Sequence, residues 1–322
     1  MITKENVYKT AFANKSQRVK AVKIQYERML SDVYLKEPRL EEIDQAMRET
    51  GSRIAVTALS GDREELKRLK AKSKALAAEK TLLLEKLNAP KFAFECDLCE
   101  DTGYVQGKIC DCIKREASTV IINELSKEMP LGDCTFENFD LKYYSKEENE
   151  NGVSPFKRAS AVYNICREYA KSFSPDRSHN LLFFGETGLG KTHLTMAIVY
   201  EVAKKGYLPV YGSAENLCTM LDNERFAGEG RPYNNAALNC DLLVIDDLGT
   251  EFATNLTKTT LYNLINTRLL TKKPTIINTN LSIREIEERY TPRVASRLIG
   301  SYDAYKFLGR DIRQIKRLNQ PV

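Results

Sequence analysis

The sequence has no tryptophan, only two histidines and no long apolar run. A membrane-spanning helix needs roughly 18 apolar residues in succession, and nothing in this chain approaches that length. The N-terminus, MITKENVYKTAFANKSQ, has no apolar centre of the kind found in a signal peptide. Lysine and arginine exceed aspartate and glutamate only by 49 to 44, which permits a nucleic-acid partner without arguing for one. We therefore expect a soluble cytoplasmic protein with no membrane partner.

Glycine and proline are scarce in residues 1–90, where only Gly51, Gly61, Pro38 and Pro90 occur. Apolar residues recur there at helical spacing in two series, which are Val19, Val22, Tyr26, Met29 and Val33, and Leu66, Leu69, Leu76, Leu83 and Leu87. The pattern predicts two long helices packed as an antiparallel hairpin, joined by a third helix near residues 40–47. The apolar seams fit either a simple helical core or a module that docks a partner.

Half of the eight cysteines fall within 17 residues, at Cys96, Cys99, Cys110 and Cys112. Four thiolates in two close pairs are a donor set that suits tetrahedral zinc, and in a cytosolic chain such a cluster favours metal over disulfides. Asp101, Gly103 and Gly107 between the pairs favour the tight turns of a small knuckle. The four cysteines fill all four positions of a tetrahedral zinc ion, and no fifth acidic or histidine ligand is expected within the cluster. Because such a site is closed, we predict a structural zinc. The alternative is four reduced cysteines without metal.

From about residue 156 the chain alternates between helical stretches and apolar, strand-like runs. The strand-like runs are NLLFFG (180–185), YLPVYGS (207–213), DLLVIDD (241–247), KPTIINTN (273–280) and YKFLG (305–309). Nearly continuous apolar strands are buried on both faces, which is typical of a parallel sheet covered by helices on each side. The fold class predicted for this part is therefore α/β, with five parallel strands.

The stretch FFGETGLGKTHL fits the phosphate-loop pattern G-x-x-x-x-G-K-[ST] at a strand-to-helix turn. Gly185 and Gly190 let backbone amides approach phosphates, and Gly188 adds flexibility. Lys191 neutralises the β and γ phosphates, and the Thr192 hydroxyl coordinates magnesium. The motif predicts that ATP or ADP binds here together with Mg²⁺.

Polar side chains follow the next strands and supply the remaining candidates. Asp246 is placed to hold magnesium, and Asp247 to orient the attacking water, although Asp247 could instead cap a helix or face solvent. Asn280 is the candidate sensor of the attacking water or the γ phosphate. Arg293 and Arg297 are four residues apart and share a helix face. They are either ordinary surface arginines or a source of charge stabilisation for a neighbouring subunit's site.

With these motifs the chain resembles the AAA+ ATPases and, more narrowly, the bacterial replicative helicase loaders of the DnaC/DnaI type, in the initiator clade. The resemblance runs from CTFENFD (134–140) to the C-terminus and rests on GETGLGKTHL, LLVIDDLGTE, IINTN and RVASRL, in that order. A cysteine knuckle after a helical N-terminal region is similar to the DnaI-like branch, whose metal set mixes cysteine and histidine. Here His179 and His193 lie far from the cluster in sequence, so a four-cysteine set is expected.

The resemblance implies partners and residue roles. Its N-terminal region would bind the hexameric DnaB-type replicative helicase, and its AAA+ part would bind ATP and single-stranded DNA and self-associate. Residues 185–192 would be Walker A, Asp246 and Asp247 Walker B, Asn280 sensor 1 and Arg297 the trans-acting arginine. Asp247 stands where many AAA+ members have glutamate, which implies slow hydrolysis.

The short C-terminal stretch predicts little or no helical lid. Only about 15 residues follow Phe307, and Arg313 is the candidate for a sensor-2 role among them. Without a lid, we expect the site to be open on one side and to be completed by a neighbouring subunit.

The predicted function is ATP-dependent loading of the replicative helicase onto single-stranded DNA, by a chromosomal or a phage-borne loader. The predicted domains are a helical helicase-interaction domain (1–125) with a knuckle at 94–114, a linker (126–155) and an AAA+ domain (156–322). One alternative is an IstB-like transposition-helper ATPase, although those proteins usually lack a cysteine knuckle. Another is an adaptor that binds nucleotide and never hydrolyses it.

Overall fold

The structure, a computed structural model, describes residues 3–129, 131–147, 152–227 and 232–318. The chain divides into two compact units, residues 13–110 and residues 1–12 together with 111–322. We call them the helical unit and the sheet unit. Among the described residues, none of the helices combines the length and the apolar character that a membrane crossing requires.

The helical unit is built on three long helices, α1 (Lys4–Lys36, of which residues 13 onward belong to this unit), α2 (Arg39–Ser60) and α3 (Arg63–Lys86). Helix α2 ends at Gly61, which takes a left-handed conformation (φ 80°). The next residue, Asp62, caps α3 by accepting a hydrogen bond from the backbone N–H of Glu65. The turn therefore sends α3 back along α2, and ion pairs join Arg39 to Glu79 and Arg53 to Glu65 along the resulting antiparallel pair.

The predicted apolar seams differ in how far they are covered. On α3, Leu69 is buried and the other leucines of its series are half-buried. On α1, Val22 and Met29 are 46% and 49% exposed. The antiparallel pair is therefore formed by α2 and α3, whereas we predicted it between the two helices that carry the seams, α1 and α3. The other members of the α1 series, Val19, Tyr26 and Val33, are half-buried. Helix α2 is also longer than the short joining helix predicted near residues 40–47, because Gly51 lies within it without ending it.

A short antiparallel hairpin follows in the helical unit, made by β1 (Tyr104–Val105) and β2 (Lys108–Ile109). Gln106 and Gly107, the two residues between the strands, both have positive φ, of 50° and 75°. Turns of this kind match the twist of the strands that they join. The hairpin ends at Cys110, whose N–H donates to the carbonyl of Gly103 at 2.9 Å, as a compact knuckle requires.

The sheet unit contains five parallel strands in the order β4-β5-β6-β3-β7. The strands are β3 (Leu181–Phe184), β4 (Pro209–Ser213), β5 (Leu242–Leu248), β6 (Thr275–Thr279) and β7 (Asp303–Lys306). The helices are α4 (Asp111–Glu128), α5 (Pro155–Ser172), α6 (Lys191–Lys204), α7 (Ala214–Ala227), α8 (Pro232–Asn239), α9 (Asn255–Leu270), α10 (Ile283–Arg289), α11 (Pro292–Ser301) and α12 (Ile312–Leu318).

Two apolar cores lie on opposite faces of this sheet, which confirms the predicted α/β fold class. One is formed with α7, α9 and α11, and Leu217, Leu261 and Val294 are among its members. The other is formed with α5 and α6 and includes Val162 and Leu194. All five predicted strands are present. The last begins two residues earlier than YKFLG, because Asp303 already pairs with β3.

The predicted linker and the predicted lack of a lid can each be compared with the structure. The boundaries at 125 and 155 stay a prediction, and residues 148–151 lie outside the described part of the chain. Within 131–147, however, Leu131, Phe136 and Tyr144 are buried, so this stretch is not an exposed connection. After β7 the described residues form one short helix, α12, and the expectation of little or no lid stays a prediction.

Candidate nucleotide site and cysteine cluster

The predicted nucleotide residues meet at the carboxyl edge of the sheet. Strand β3 leads into the loop 185–190 and then into α6, whose first residue is Lys191. Strands β5 and β6 end beside it, and carry Asp246 and the approach to Asn280. In an open parallel sheet this edge is where ligands bind, since loops and helix N-termini converge there.

The three loop glycines have backbone conformations that would be strained for any other residue. Gly185, Gly188 and Gly190 have φ of 132°, 71° and 87°, a region that L-residues rarely adopt. A Cβ on Gly188 would come within 2.0 Å of the Asp311 carboxylate, and one on Gly190 within 2.8 Å of the Phe139 ring. Gly188 is therefore required by a close neighbour as well as by backbone conformation, beyond the flexibility that we predicted for it.

Lys191 is held inside the loop by three oxygen acceptors. Its side-chain amine donates to the carbonyls of Gly185 (2.6 Å) and Glu186 (2.7 Å) and to Oδ1 of Asn280 (2.7 Å). Lys191 is only 5% exposed, and this burial lowers the pKa of its amine to about 8. The structure thus brings the predicted phosphate-binding lysine and the predicted sensor into direct contact.

Asp246 is the centre of a buried hydrogen-bond network. Its Oδ1 accepts from Asn278 Nδ2 (2.7 Å) and from the Thr192 hydroxyl (3.3 Å). Its Oδ2 accepts from the hydroxyl of Tyr211 on β4. The backbone N–H of Asp247 also donates to Oδ1 (3.1 Å). These four donors fix the carboxylate beside Thr192, so the two predicted magnesium ligands are adjacent. Of the partners, Tyr211 was not foreseen as a site residue, because its strand position gave no sign of which carboxylate it faces.

Asp247 lines the same cleft from an unusual backbone conformation. Its φ is 51°, a left-handed value that is costly for residues other than glycine, asparagine and aspartate. Burial, followed by the neighbouring Asp246 carboxylate, raises the pKa of Asp247, while Lys191 and Arg313 oppose the shift. A half-buried carboxyl with a raised pKa is a suitable group for orienting or accepting a proton from water.

A cleft of about 420 Å³ opens over the loop and is lined by residues that the motifs did not identify. Phe139, Tyr143 and Tyr144 come from the segment that we predicted to be a linker. The Tyr144 hydroxyl donates to the carbonyl of Leu189 at 2.8 Å, and the Phe139 ring packs edge-on against His193 at 5.4 Å. Aromatic side chains beside a phosphate loop offer a surface on which a planar base could stack. The only sequence signal for them was the aromatic content of residues 136–144.

The predicted arginines are separated by the fold. Arg313 lines the cleft at the start of α12. Arg297, on α11, is not among the lining residues. Its Nε donates to Asn266 Oδ1 at 2.6 Å, and its guanidinium lies 5.6 Å from the ring centre of Tyr262. Arg293 is exposed. Of the three candidate arginines, Arg313 therefore lines this cleft and Arg293 and Arg297 do not.

Glu251, the last residue of the LLVIDDLGTE motif, has a position that the sequence did not explain. It is 2% exposed and accepts hydrogen bonds from the Tyr290 hydroxyl and from the N–H of Gly249 (2.8 Å). Arg289 donates to its backbone carbonyl at 2.6 Å. These contacts tie the loop after β5 to the end of α10, directly before the helix that carries Arg297.

The four predicted metal ligands come together in the structure. The sulfur atoms of Cys96, Cys99, Cys110 and Cys112 lie within 4.8 Å of one another, and those of Cys96 and Cys110 are 3.9 Å apart. Zinc–thiolate bonds of about 2.3 Å in a tetrahedron place the sulfurs about 3.8 Å apart, so the donor set fits zinc. A disulfide would need about 2.05 Å. The cluster is thus compatible with zinc.

Known proteins resemble the part of the chain that contains the nucleotide site. Residues 159–297 match the model of the family described as IstB-like ATP binding protein. The replicative helicase loader DnaC of Escherichia coli is 27% identical over 184 residues, which span 54% of this chain and 69% of DnaC. The crystal structure of the DnaC helicase loader covers 56% of this chain and 99% of its own, at 22% identity and a TM-score of 0.47. The structure of DnaI covers 57% and 93%, at 16% identity and a TM-score of 0.45.

The sheet unit has the parallel five-stranded sheet and the phosphate-loop pattern that are found in the AAA+ class of P-loop proteins. Within that class the chain resembles the DnaC-type helicase loaders, as the motifs predicted, and the DnaC match confirms this resemblance.

Proposed function

We propose that this protein is an ATP-dependent loader that binds the hexameric DnaB-type replicative helicase and delivers it onto single-stranded DNA when replication begins. The observation that carries the proposal is the meeting of Lys191, Asn280, Thr192 and Asp246 at one sheet edge, in a chain similar to DnaC over 184 residues. That geometry supports a nucleotide switch, and the similarity supports a replicative helicase as its partner.

In the nucleotide site each residue has a distinct task. The loop amides of 185–190 and the Lys191 ammonium bind the phosphates. To do so, the Lys191 amine leaves the carbonyls of Gly185 and Glu186 and donates to phosphate oxygens instead. Thr192 and Asp246 hold Mg²⁺, which neutralises phosphate charge. Asp247 orients the attacking water, and Asn280 moves between Lys191 and the γ phosphate, so that it reports whether that phosphate is present.

Self-association completes the site. Arg297 is held by Asn266 and Tyr262, away from its own cleft. We propose that it acts in the cleft of a neighbouring copy, where an arginine stabilises the charge of phosphoryl transfer. Arg313, which lies in its own cleft, acts on the bound phosphates from the other side. ATP then promotes assembly, and hydrolysis is slow in the isolated chain.

The N-terminal part is the proposed helicase contact. In the helical unit Val22, Met29 and Leu82 are exposed on long helices, and apolar surface of this kind marks protein interfaces. We assign this role to the predicted domain 1–125, with zinc in the cysteine cluster holding its C-terminal part together. Single-stranded DNA is the proposed partner of the AAA+ part.

The test is helicase loading by Lys191→Ala. Removing the ammonium leaves the phosphates without their buried cation, so we expect nucleotide affinity to fall by at least about 100-fold, and strand unwinding by added helicase to be lost. Lys171→Ala, at an exposed lysine of α5, is the matched control and should load as wild type does. Loading by Lys191→Ala at the wild-type rate would refute the proposal.

A transposition-helper ATPase is the second candidate, favoured by the family match over residues 159–297. Its partner would be a transposase in place of a helicase. Pull-down with residues 1–125 or the full chain separates the two, because only a loader retains the replicative helicase. Phosphate release with and without helicase and single-stranded DNA identifies an adaptor that never hydrolyses ATP.

A further inference from the structure

A buried lysine of the helical unit lies beside Cys99, one of the clustered cysteines. Lys15, on α1, is 3% exposed. Its amine is 3.1 Å from Asp101 Oδ1 and 3.9 Å from the sulfur of Cys99. An ammonium is costly to bury unless anionic groups lie close to it, and Asp101 is one such group.

Asp101 connects the lysine to the loop that holds the first two cysteines. Its carboxylate accepts from the backbone N–H of Cys96 (3.0 Å) and from that of Glu95 (3.0 Å). Asp101 and the preceding Glu100 both have left-handed φ, of 60° and 45°, so the chain turns sharply directly after Cys99. The ion pair therefore fixes the backbone of one cysteine while the amine approaches the sulfur of another.

The position of the Lys15 ammonium fits the negative charge that the cluster would carry with zinc bound. Four thiolates around one divalent cation carry a net charge of −2, which burial makes unfavourable. A nearby ammonium offsets part of that charge, and groups that hydrogen-bond to metal ligands orient them and tune affinity. With the metal removed, the same ammonium no longer faces the charge of the filled cluster, while Asp101 stays within 3.1 Å of it.

We propose that Lys15 is a positioning residue of the metal site, and that metal binding and the docking of residues 13–36 of α1 are coupled through it. The inference rests on the proposed zinc site. Because coupling between two equilibria is reciprocal, the metal stabilises docked α1 as much as docked α1 tightens the metal. Helix α1 carries the exposed Val22 and Met29, so metal occupancy controls how firmly this apolar face is held.

The first test compares Lys15→Met with Lys20→Met in the full-length chain. Lys20 is exposed on the same helix, so the control removes the same charge without reaching the cluster. Competition with a chromogenic chelator gives the zinc affinity, which we expect to be 10- to 100-fold weaker in Lys15→Met and unchanged in Lys20→Met. The cobalt-substituted forms should differ likewise, with the thiolate-to-cobalt absorption altered in Lys15→Met alone. Lys15→Arg, which keeps the cation, should recover part of the affinity.

The second test needs no variant. Amide hydrogen exchange in residues 13–36 of the wild-type chain should accelerate at least 10-fold when a chelator removes zinc, while exchange in the sheet strands stays constant. The coupling would be overturned by equal zinc affinity of Lys15→Met and Lys20→Met, or by an exchange rate in α1 that does not change when zinc is removed. Neither result would contradict the zinc site itself. A wild-type chain without stoichiometric zinc would instead overturn the zinc site.

Discussion

In the sheet unit the two central residues of the candidate nucleotide site are buried, whereas in the helical unit two members of the apolar series on α1 are exposed. Lys191 and Asp246 are each at most 5% exposed, and both lie within hydrogen-bonded networks. Val22 and Met29 are about half exposed. The contrast indicates that the first unit is organised around a small ligand, and the second around a surface.

The strongest way to break this comparison is Asp247→Asn in the sheet unit. Asparagine tolerates the left-handed backbone and keeps the shape of the side chain, but it cannot accept a proton from water. We expect phosphate release at saturating ATP to fall about 1,000-fold, with nucleotide affinity changed only a few-fold.

Asp176→Asn, at an exposed aspartate of the same unit, is the control, and both variants should retain wild-type zinc. Phosphate release that is unchanged in Asp247→Asn would remove Asp247 from the mechanism. Loss of zinc in that variant would mean that the substitution disturbs the fold beyond the nucleotide site.

The two units also differ in how much of their structure the sequence could reveal. The loop motif and the apolar strands predicted the sheet and placed Lys191, Thr192 and Asp246 together, because strand-to-helix turns at one sheet edge are a local consequence of the fold. The roles given to these residues stay predictions. Phe139 and Tyr144 were missed because their position at Gly190 depends on contacts between distant parts of the chain.

In the helical unit the spacing predicted helices correctly but could not show which faces are covered. None of the leucines in the second series is exposed, since α2 returns along α3, while the equally regular series on α1 leaves Val22 and Met29 exposed. Periodicity identifies an apolar face, and only tertiary structure decides what covers it. The cysteine spacing was more informative because metal ligands must meet at short distances, whatever the surrounding fold.

Stability measurements offer a second, smaller contrast, between Arg268→Met and Lys80→Met. Arg268 is fully buried in the sheet unit and donates to the carbonyls of Ala237 (2.7 Å) and Pro274 (2.7 Å). Methionine leaves these acceptors without donors, so we expect a loss of about 3 kcal/mol in the free energy of unfolding. Lys80 pairs with Asp44 at a site about one quarter exposed, and its loss should cost at most about 1 kcal/mol.

Urea unfolding followed by circular dichroism measures both variants. If Lys80→Met proved as costly as Arg268→Met, the helical unit would depend on its polar contacts as much as the sheet unit does, and the proposed difference between the units would be wrong.

The smallest predicted effect is a pH dependence of nucleotide affinity, which follows from the lowered pKa of the buried Lys191 amine. With its pKa at about 8 in the ligand-free protein, the amine is mostly neutral at pH 9, whereas bound phosphates favour the ammonium. Nucleotide affinity should therefore not respond to this group well below pH 8 and should fall by up to about 10-fold per unit above it. Binding near pH 9 should take up a proton, which calorimetry in two buffers of different ionisation enthalpy detects.

The stability of the ligand-free protein should change in the opposite direction. Between pH 8 and the ordinary lysine value of 10.5, the unfolded chain binds this proton more strongly than the folded chain does, so Lys191 alone makes folding more favourable as pH rises. Lys171→Ala should show the same affinity profile as wild type, because its exposed amine takes no part in the site. Affinity that stays constant from pH 7 to 10, without proton uptake, would show that Lys191 is charged before the nucleotide arrives, and that its carbonyl cage already stabilises the ammonium.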